Sequence, residues 1–253
     1  MRFAPTAWLV AFLSMTLAAF GEYPRRVLFI GNSYTGTHKL PEVFLEVVKS
    51  TGRMAPVIKS STPGGRTLKQ HLAIEGSMKL IEEGGWDVVV LQGQSQEPAI
   101  AEKDDVVRKD FLESAAALCS RVRAKSPKAR IYFYETWARH PDYWKAPKKG
   151  PDVGADPKEM QVRLRKWYGV AAKDNGASLV PCGDAWELNY ASSASIRLHA
   201  KDHSHPEFVG TYLNALIFFG AIYGEKAPSP KWIGKLPEPQ AELMRGYAAQ
   251  VLK

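Results

Sequence analysis

The chain has 253 residues, of which 45% are hydrophobic and 24% are charged, and its formal net charge is +8 at pH 7. This length and balance are typical of one globular domain and exclude a low-complexity or fibrous chain. The basic residues are scattered and no nucleic-acid-binding motif occurs, so the charge favours an anionic polymer, an acidic glycan or an ordinary solvated surface over nucleic acid.

The first 21 residues differ from the rest of the chain. Arg2 precedes an apolar run over residues 7–20, and the small residues Ala19 and Gly21 stand at its end. This is the pattern of a secretory signal peptide, and the run is short for a membrane span. We predict cleavage after Gly21, a mature domain over residues 22–253, and a secreted or periplasmic protein with no stable membrane insertion. An uncleaved N-terminal anchor is the alternative.

Strand and helix patterns alternate through the mature chain. Short apolar segments predict five β-strands, at residues 27–30, 55–60, 86–91, 129–134 and 177–180. Apolar residues at helical spacing predict helices at residues 40–48, 67–83, 104–125, 157–174, 208–223 and 239–252. The alternation predicts an α/β fold of three layers, α/β/α, in which a five-stranded parallel sheet has a flavodoxin-like order.

Polar residues with catalytic chemistry follow several of these strands. The sequence GNSY (31–34) follows the first strand, TPGGR (62–66) the second and QGQSQ (92–96) the third, while DHSHP (202–206) stands after the fifth. Active sites of such sheets lie at the carboxyl ends of the strands. A serine, an Asp/His pair, glycine amides and side-chain amides at one edge are the groups that acyl transfer requires.

These blocks resemble those of the SGNH (GDSL-type) hydrolases, a large group of esterases and lipases. GNS (31–33) is similar to the first block of that family, and DHSHP (202–206), just before a predicted helix, is similar to the last. The resemblance spans residues 27–224 and implies an SGNH hydrolase fold. It also implies that Ser33 is the nucleophile, that His205 is its base and that Asp202 orients His205, with no cofactor and no metal.

The resemblance further implies an oxyanion hole built from the backbone amides of Ser33 and of a glycine in the second block. Gly64 and Gly65 both match, and Gly65 is favoured because it precedes the helix. The third block reads GQSQ (93–96), where the family has Gly-x-Asn-Asp. A glutamine can donate the same side-chain hydrogen bond. Gln94, which is nearer the strand end, is favoured over Gln96 as that donor.

Two other assignments stay open at this point. Ser95, within GQSQ, is similar to the nucleophile of sialate O-acetylesterase-type enzymes, although in those enzymes the block follows the first strand. Asp202, His203 and His205 form a second alternative, because a His-x-His sequence binds zinc in some proteins. Otherwise His203 is expected at the rim of the site.

Four residues near the strand ends are predicted to contact the substrate. Tyr34 and His38 follow the nucleophile, whereas Trp137 and Arg139 follow the fourth strand. With export, this aromatic and basic loop favours an esterase that removes short acyl groups, above all O-acetyl groups, from a small molecule or polysaccharide. A lipase or thioesterase of the same fold is one alternative, and a non-catalytic glycan or cell-wall binder is the other.

The sequence leaves several properties open. Cys119 lies in a predicted helix and Cys182 follows a predicted strand, so both fit a core position as well as a disulfide. The acyl group, the alcohol and the oligomeric state have no sequence signal.

Overall fold

The computed structural model describes residues 23–145 and 150–252, so the predicted signal peptide and its cleavage site lie outside the described residues. Five strands form one sheet, namely β1 (Arg26–Ile30), β2 (Val57–Ser61), β3 (Val88–Leu91), β4 (Arg130–Glu135) and β5 (Ser178–Pro181). All neighbouring strands are parallel and their order is β2-β1-β3-β4-β5. The predicted parallel sheet and its flavodoxin-like order are therefore confirmed.

The central strands are apolar on both faces because helices cover both faces. In β1, Val27 and Phe29 belong to one hydrophobic core, whereas Leu28 and Ile30 belong to the other. All four side chains are completely buried. Because alternate side chains of a strand point to opposite faces, each strand contributes to both cores, which gives the predicted three layers.

The helices of the described residues follow the strands in chain order. They are α1 (Ser33–Gly36), α2 (Leu40–Ser50), α3 (Leu68–His71), α4 (Glu75–Glu83), α5 (Glu97–Ile100), α6 (Asp105–Lys125), α7 (Pro157–Asp174), α8 (Cys182–Ala191), α9 (Phe208–Tyr223) and α10 (Glu238–Val251). Helices α2, α8, α9 and α10 pack on one face of the sheet, and α3, α4, α6 and α7 supply the core of the other. Within residues 23–145 and 150–252, no helix combines the length and apolar character needed to cross a bilayer.

The structure differs from the predicted elements at two main places. Residues 67–83 were predicted as one helix but form α3 and α4, because Ile74 has an extended backbone. The buried His71 ring explains the break: its Nε2 lies 2.9 Å from the Gly31 carbonyl and its Nδ1 lies 2.7 Å from Ser77 Oγ. An unbroken helix would separate residues six apart by about 9 Å along its axis. Helix α8 was not predicted, since its apolar residues form no regular stripe.

The two cysteines are free thiols in separate cores. Cys119 on α6 and Cys182 at the start of α8 are both buried. They belong to the hydrophobic clusters on opposite faces of the sheet. Burial raises the pKa of Cys119 to about 11, so this thiol stays protonated near neutral pH.

Glu97, at the start of α5, is a carboxyl group inside the protein. The residue is 7% exposed, and its Oε2 has no hydrogen-bond partner among the described residues. Burial is the main cause that raises its pKa from 4.5 to about 7; the backbone of Gln94 opposes the rise and the charge of Asp110 adds to it. The folded protein therefore binds this proton more tightly than the unfolded chain does.

We expect Glu97 to make the protein less stable as the pH rises. The stabilisation that comes from the protonated Glu97 is fully present below pH 4.5. It falls by about 1.4 kcal/mol per pH unit between pH 4.5 and 7, and it is lost once the pH passes 7. Urea unfolding from pH 4.5 to 8 should show that Glu97→Gln removes this slope. The matched control is Glu113→Gln, on the exposed side of α6. Equal slopes for the wild type and Glu97→Gln would contradict the assignment.

Candidate active site

Ser33 stands on a tight turn at the carboxyl end of β1. The Asn32 side chain caps α1, accepting a hydrogen bond of 3.1 Å from the Tyr34 amide. Only glycine fits at position 31, directly before Asn32, because a Cβ atom there would lie 2.5 Å from Thr35 Oγ1. The turn thus ends the strand abruptly and holds the half-buried Ser33 side chain at the edge of the sheet.

His205 joins Ser33 to Asp202 by two hydrogen bonds. Its Nε2 lies 2.8 Å from Ser33 Oγ, and its Nδ1 lies 2.5 Å from Asp202 Oδ2. The loop that carries Asp202 and His205 is closed at its base by an antiparallel bridge between His199 and Pro206. The structure therefore brings together the three residues that the sequence blocks predicted, from loops 172 positions apart.

Asp202 is held in its ionised form. Its Oδ1 accepts hydrogen bonds of 2.9 Å from the amides of Ser204 and His205. Partial burial acts to raise the pKa of Asp202, but the hydrogen bonds from the His205 ring and these amides outweigh it and lower the pKa to about 2. An ionised Asp202 favours the tautomer of His205 that carries its proton on Nδ1, which leaves Nε2 free to accept from Ser33.

Asn32 and Gln92 tie together the loops after β1, β2 and β3. Asn32 Nδ2 donates to the carbonyl groups of Arg66 and Gly93, both at 3.0 Å. Gln92 Oε1 accepts from the Asn32 amide and from Thr35 Oγ1, both at 2.9 Å. We call these bonds the loop clasp. Sequence reasoning gave Gln92 no role, although a polar residue directly after the apolar β3 is the signal that marks it.

Tyr34 and Trp137 pack against the loop that carries Asp202 and His205. Tyr34 stacks on Trp137 at 4.4 Å, Trp137 stacks on Trp186 at 3.9 Å, and the edge of the Tyr34 ring meets the His205 ring. Tyr34 OH lies 2.9 Å from Ser204 Oγ, and Trp137 Nε1 donates to the Ser204 carbonyl at 3.0 Å. At 2% and 1% exposed, neither ring has the free face that a stacked sugar would need.

Arg139 brings a buried positive charge to the same edge. One guanidinium nitrogen donates to Tyr34 OH, and Nη2 donates to Ser95 Oγ at 3.1 Å. The residue is 9% exposed, and among the described residues its guanidinium forms no ion pair with a carboxylate. Buried charges are usually paired with an opposite charge. Here the charge instead meets two hydroxyl groups, in the loops after β1 and β3.

The predicted backbone donors lie on turns and have no internal partner. Among the described residues, neither the Ser33 amide nor the Gly65 amide donates a hydrogen bond. Gly65 has a φ of +69°, a left-handed conformation that favours glycine, whereas Gly64 is not left-handed. The clasp bond to Arg66 anchors the loop that carries Gly65 against the Ser33 loop.

The two candidate glutamines differ in how they are held. Gln94 Oε1 accepts from the amides of Gln96 and Glu97, at 2.7 and 3.1 Å, which fixes the turn before α5. Its Nε2 lies 3.4 Å from Ser95 Oγ. The half-buried Gln96 side chain has no hydrogen bond to a described residue. Gln94 is thus fixed and Gln96 is not.

His38 lies apart from the three linked residues. It has a left-handed φ of 50°, and its exposed ring meets Phe208 edge-on at 6.0 Å. No ring contact or hydrogen bond with a described residue links it to Ser33 or His205. A role in substrate binding stays a prediction for His38.

Asp202, His203 and His205 do not converge as the metal alternative requires. His205 and Asp202 are bonded to each other, whereas His203 Nδ1 accepts a hydrogen bond of 3.1 Å from Arg197. In the part of the chain that the structure describes, the ligand atoms that lie close enough for a metal belong to His140, Asp142 and His203.

This second group is already surrounded by positive charge. Arg197 lies 3.7 Å from the Asp142 carboxylate and 3.4 Å from His140 Nε2, and Lys145 pairs with Asp142 at 2.7 Å. A cation would have to displace these side chains.

An apolar cavity of about 540 Å³ lies beside the aromatic stack. Its lining joins Trp137 and Arg139 with residues from the start of α7 and from α8, including Trp186 and Tyr190. Ser33, Asp202 and His205 are not among its lining residues in the described chain. The cavity therefore does not include these three residues, although Trp137 in its lining stacks on Tyr34, whose ring meets His205.

The fold is shared with several proteins of solved structure. The chain matches a DUF4886 family protein from Bacteroides uniformis with a TM-score of 0.71 at 17% identity, over 90% of this chain and 94% of that one. It matches a putative GDSL-like lipase from Parabacteroides merdae with a TM-score of 0.58 at 14% identity, over 80% and 97% of the two chains.

A third match is a catalytic mutant of Axe2, an acetylxylan esterase from Geobacillus stearothermophilus, with a TM-score of 0.60 at 12% identity, over 79% of this chain and 94% of that one. No known protein family and no curated protein matches at the sequence level. At these identities the likeness establishes the fold, and the SGNH hydrolase fold that the sequence blocks predicted is confirmed.

The clasp predicts a specific loss of stability. Gln92→Leu keeps the size of the side chain but leaves the buried Asn32 amide without an acceptor, which should lower the free energy of unfolding by about 1–3 kcal/mol. Gln250→Leu, on the exposed end of α10, is the matched control and should stay within about 0.5 kcal/mol. Urea denaturation measures both, and equal losses would argue against the clasp.

Proposed function

We propose that the protein is a serine hydrolase of SGNH type that cleaves carboxylic esters through an acyl-enzyme. The observation that carries the proposal is the 2.8 Å contact between Ser33 Oγ and His205 Nε2, with Asp202 on the other ring nitrogen. A serine hydroxyl needs such a base to become nucleophilic. The proposed mechanism uses side chains, backbone amides and water, and requires no cofactor.

In the proposed first step, Ser33 Oγ attacks the ester carbonyl carbon while His205 Nε2 takes the hydroxyl proton. The tetrahedral intermediate collapses as His205 returns that proton to the leaving alcohol. Water then repeats the sequence on the acyl-enzyme and releases the acid. The carboxylate of Asp202 stabilises the imidazolium that forms in both halves, and its pKa of about 2 keeps it ionised throughout.

The carbonyl oxygen becomes negative in both tetrahedral intermediates. The amides of Ser33 and Gly65 are the proposed backbone donors, since neither donates to another described residue. A side chain from the loop after β3 is the proposed third donor. The loop clasp supports this arrangement because it fixes the three loops relative to one another before the substrate arrives.

A short acyl ester on a carbohydrate is the proposed substrate. The likeness to Axe2, an acetylxylan esterase, supports an O-acetyl group. The basic chain, with a net charge of +8, suits an acidic polysaccharide. Export behind a signal peptide cleaved after Gly21 is part of the same proposal. A lipase or thioesterase activity is the second candidate, favoured by the likeness to a GDSL-like lipase.

We expect Ser33→Ala to abolish hydrolysis of p-nitrophenyl acetate, with a loss of at least about a thousand-fold in kcat, because no other group forms the acyl-enzyme. Asp202→Asn should lose a similar factor, since the His205 tautomer is no longer fixed. Ser193→Ala, at an exposed serine, is the control and should keep full activity. An inactive wild type would favour a non-catalytic binder, and an active Ser33→Ala would exclude the proposed mechanism.

The proposed acyl group is tested by product release. We expect acetate to be released from acetylated polysaccharides, and p-nitrophenyl acetate to be hydrolysed faster than the octanoate or palmitate ester. A coupled enzymatic assay measures the released acetate, and Ser33→Ala gives the background. A preference for the long-chain esters would favour the lipase alternative.

A further inference from the structure

We propose that the Ser95 hydroxyl, supported by Arg139, is the third oxyanion donor of the site, in place of a glutamine side chain. The inference rests on the proposed function and identifies a catalytic residue within it. It assigns Ser95 a role that is neither the nucleophile nor a turn residue.

Ser95 lies on a loop that is fixed to the nucleophile loop. Asn32, the residue before Ser33, donates from its side chain to the Gly93 carbonyl at 3.0 Å and from its backbone amide to Gln92 Oε1 at 2.9 Å. Ser95 follows two residues later at the same carboxyl edge of the sheet. The residue is 6% exposed, so bulk water has little access to it.

The hydroxyl of Ser95 has an unused proton. A serine oxygen accepts through two lone pairs and donates one proton. Arg139 Nη2 donates to this oxygen at 3.1 Å, and Gln94 Nε2 lies 3.4 Å away as a second donor. Both neighbours are N–H groups, which offer no lone pair. No described residue accepts the Ser95 proton, so the proton is available to an incoming oxygen atom.

Arg139 makes this hydroxyl a stronger donor. Its guanidinium is buried and forms no ion pair with a carboxylate of the described residues. It bridges Ser95 and the hydroxyl of Tyr34, the residue next to Ser33. A positive charge in a site of low dielectric stabilises negative charge that develops nearby, and it increases the acidity of the hydroxyl group it contacts.

The glutamines are less suited to the role. The Gln94 amide is committed to the turn, since its oxygen accepts from the amides of Gln96 and Glu97. Gln96 has no hydrogen bond to a described residue that would hold its side chain in advance. Oxyanion donors contribute most when they are fixed before the reaction begins, and Ser95 meets that condition.

The same contacts argue against Ser95 as the nucleophile. A nucleophilic serine needs an acceptor for its proton, but Arg139 and Gln94 both point donors at Ser95. The imidazole that can act as that acceptor, His205, is bonded to Ser33.

In the proposed step, the bond from Ser33 Oγ to the carbonyl carbon forms and the π pair moves to the carbonyl oxygen. That oxygen accepts hydrogen bonds from the amides of Ser33 and Gly65 and from the Ser95 hydroxyl. Ser95 keeps its proton throughout. The collapse returns the electron pair to the carbonyl and expels the alcohol with the proton held by His205, so atoms and charges balance.

The test compares Ser95→Ala with Ser95→Thr on p-nitrophenyl acetate. We expect Ser95→Ala to lower kcat by about 100-fold with little change in KM, and Ser95→Thr, which keeps the hydroxyl group, to recover most of that loss. Thermal unfolding of both variants shows whether the loss is structural. Ser193→Ala is the matched serine control with unchanged activity.

Arg139 is tested through its coupling to Ser95. Arg139→Met should lower kcat less in the Ser95→Ala background than in the wild type, because the part of its effect that passes through the Ser95 hydroxyl group is already lost and only the part through Tyr34 OH remains. Fully additive losses would contradict that positioning role.

Three outcomes would overturn the inference. A Ser95→Ala variant within threefold of the wild type, with Ser33→Ala inactive, would reject Ser95 while leaving the proposed function intact. A hundred-fold loss in Gln94→Ala or Gln96→Ala, with Ser95→Ala active, would return the role to a glutamine. Fluorophosphonate labelling at Ser95 instead of Ser33, mapped by peptide mass spectrometry, would reject both the inference and the proposed function.

Discussion

The candidate site depends on a single buried oxygen, Gln92 Oε1, which accepts two hydrogen bonds. This oxygen fixes the Asn32 amide and the Thr35 hydroxyl, and thereby the turn that presents Ser33. Asn32 then holds the neighbouring loops by their carbonyl groups. Parallel strands bring their carboxyl ends to one edge, but they do not fix the loops beyond it. The polar bonds of the clasp supply that second level of order.

The loop that carries Asp202 and His205 is held mainly by aromatic packing, not by the bonds of the clasp. Here the Asp202 loop rests on aromatic rings, because Tyr34 and Trp137 both contact Ser204 and stack on each other. Flat, buried rings with few rotatable bonds give a firm base for a short loop. The two halves of the site meet at Tyr34, whose ring supports the His205 loop and whose hydroxyl group contacts Arg139.

The sheet, its order and the grouping of Ser33, Asp202 and His205 could be predicted from the sequence because each depends on a local pattern. β1 and β3 are continuous apolar runs, and the blocks around Ser33 and His205 carry chemistry at recognisable positions. The rest depends on contacts between distant residues. The break after α3 depends on His71 reaching Gly31, and the surroundings of Ser95 depend on Arg139, 44 positions away. Neither contact has a periodicity, so the sequence predicted one long helix over residues 67–83 and gave no sign that Arg139 contacts Ser95.

The separation of the two thiols determines how the folded domain responds to oxidants and reductants. Cys119 and Cys182 lie in cores that the sheet keeps apart, so they cannot be joined while the fold is intact. Nothing in the described fold therefore depends on an oxidising compartment or on disulfide exchange. A thiol reductant therefore breaks no bond between these two cysteines, and the sheet and its two cores hold the domain together without a cross-link between them.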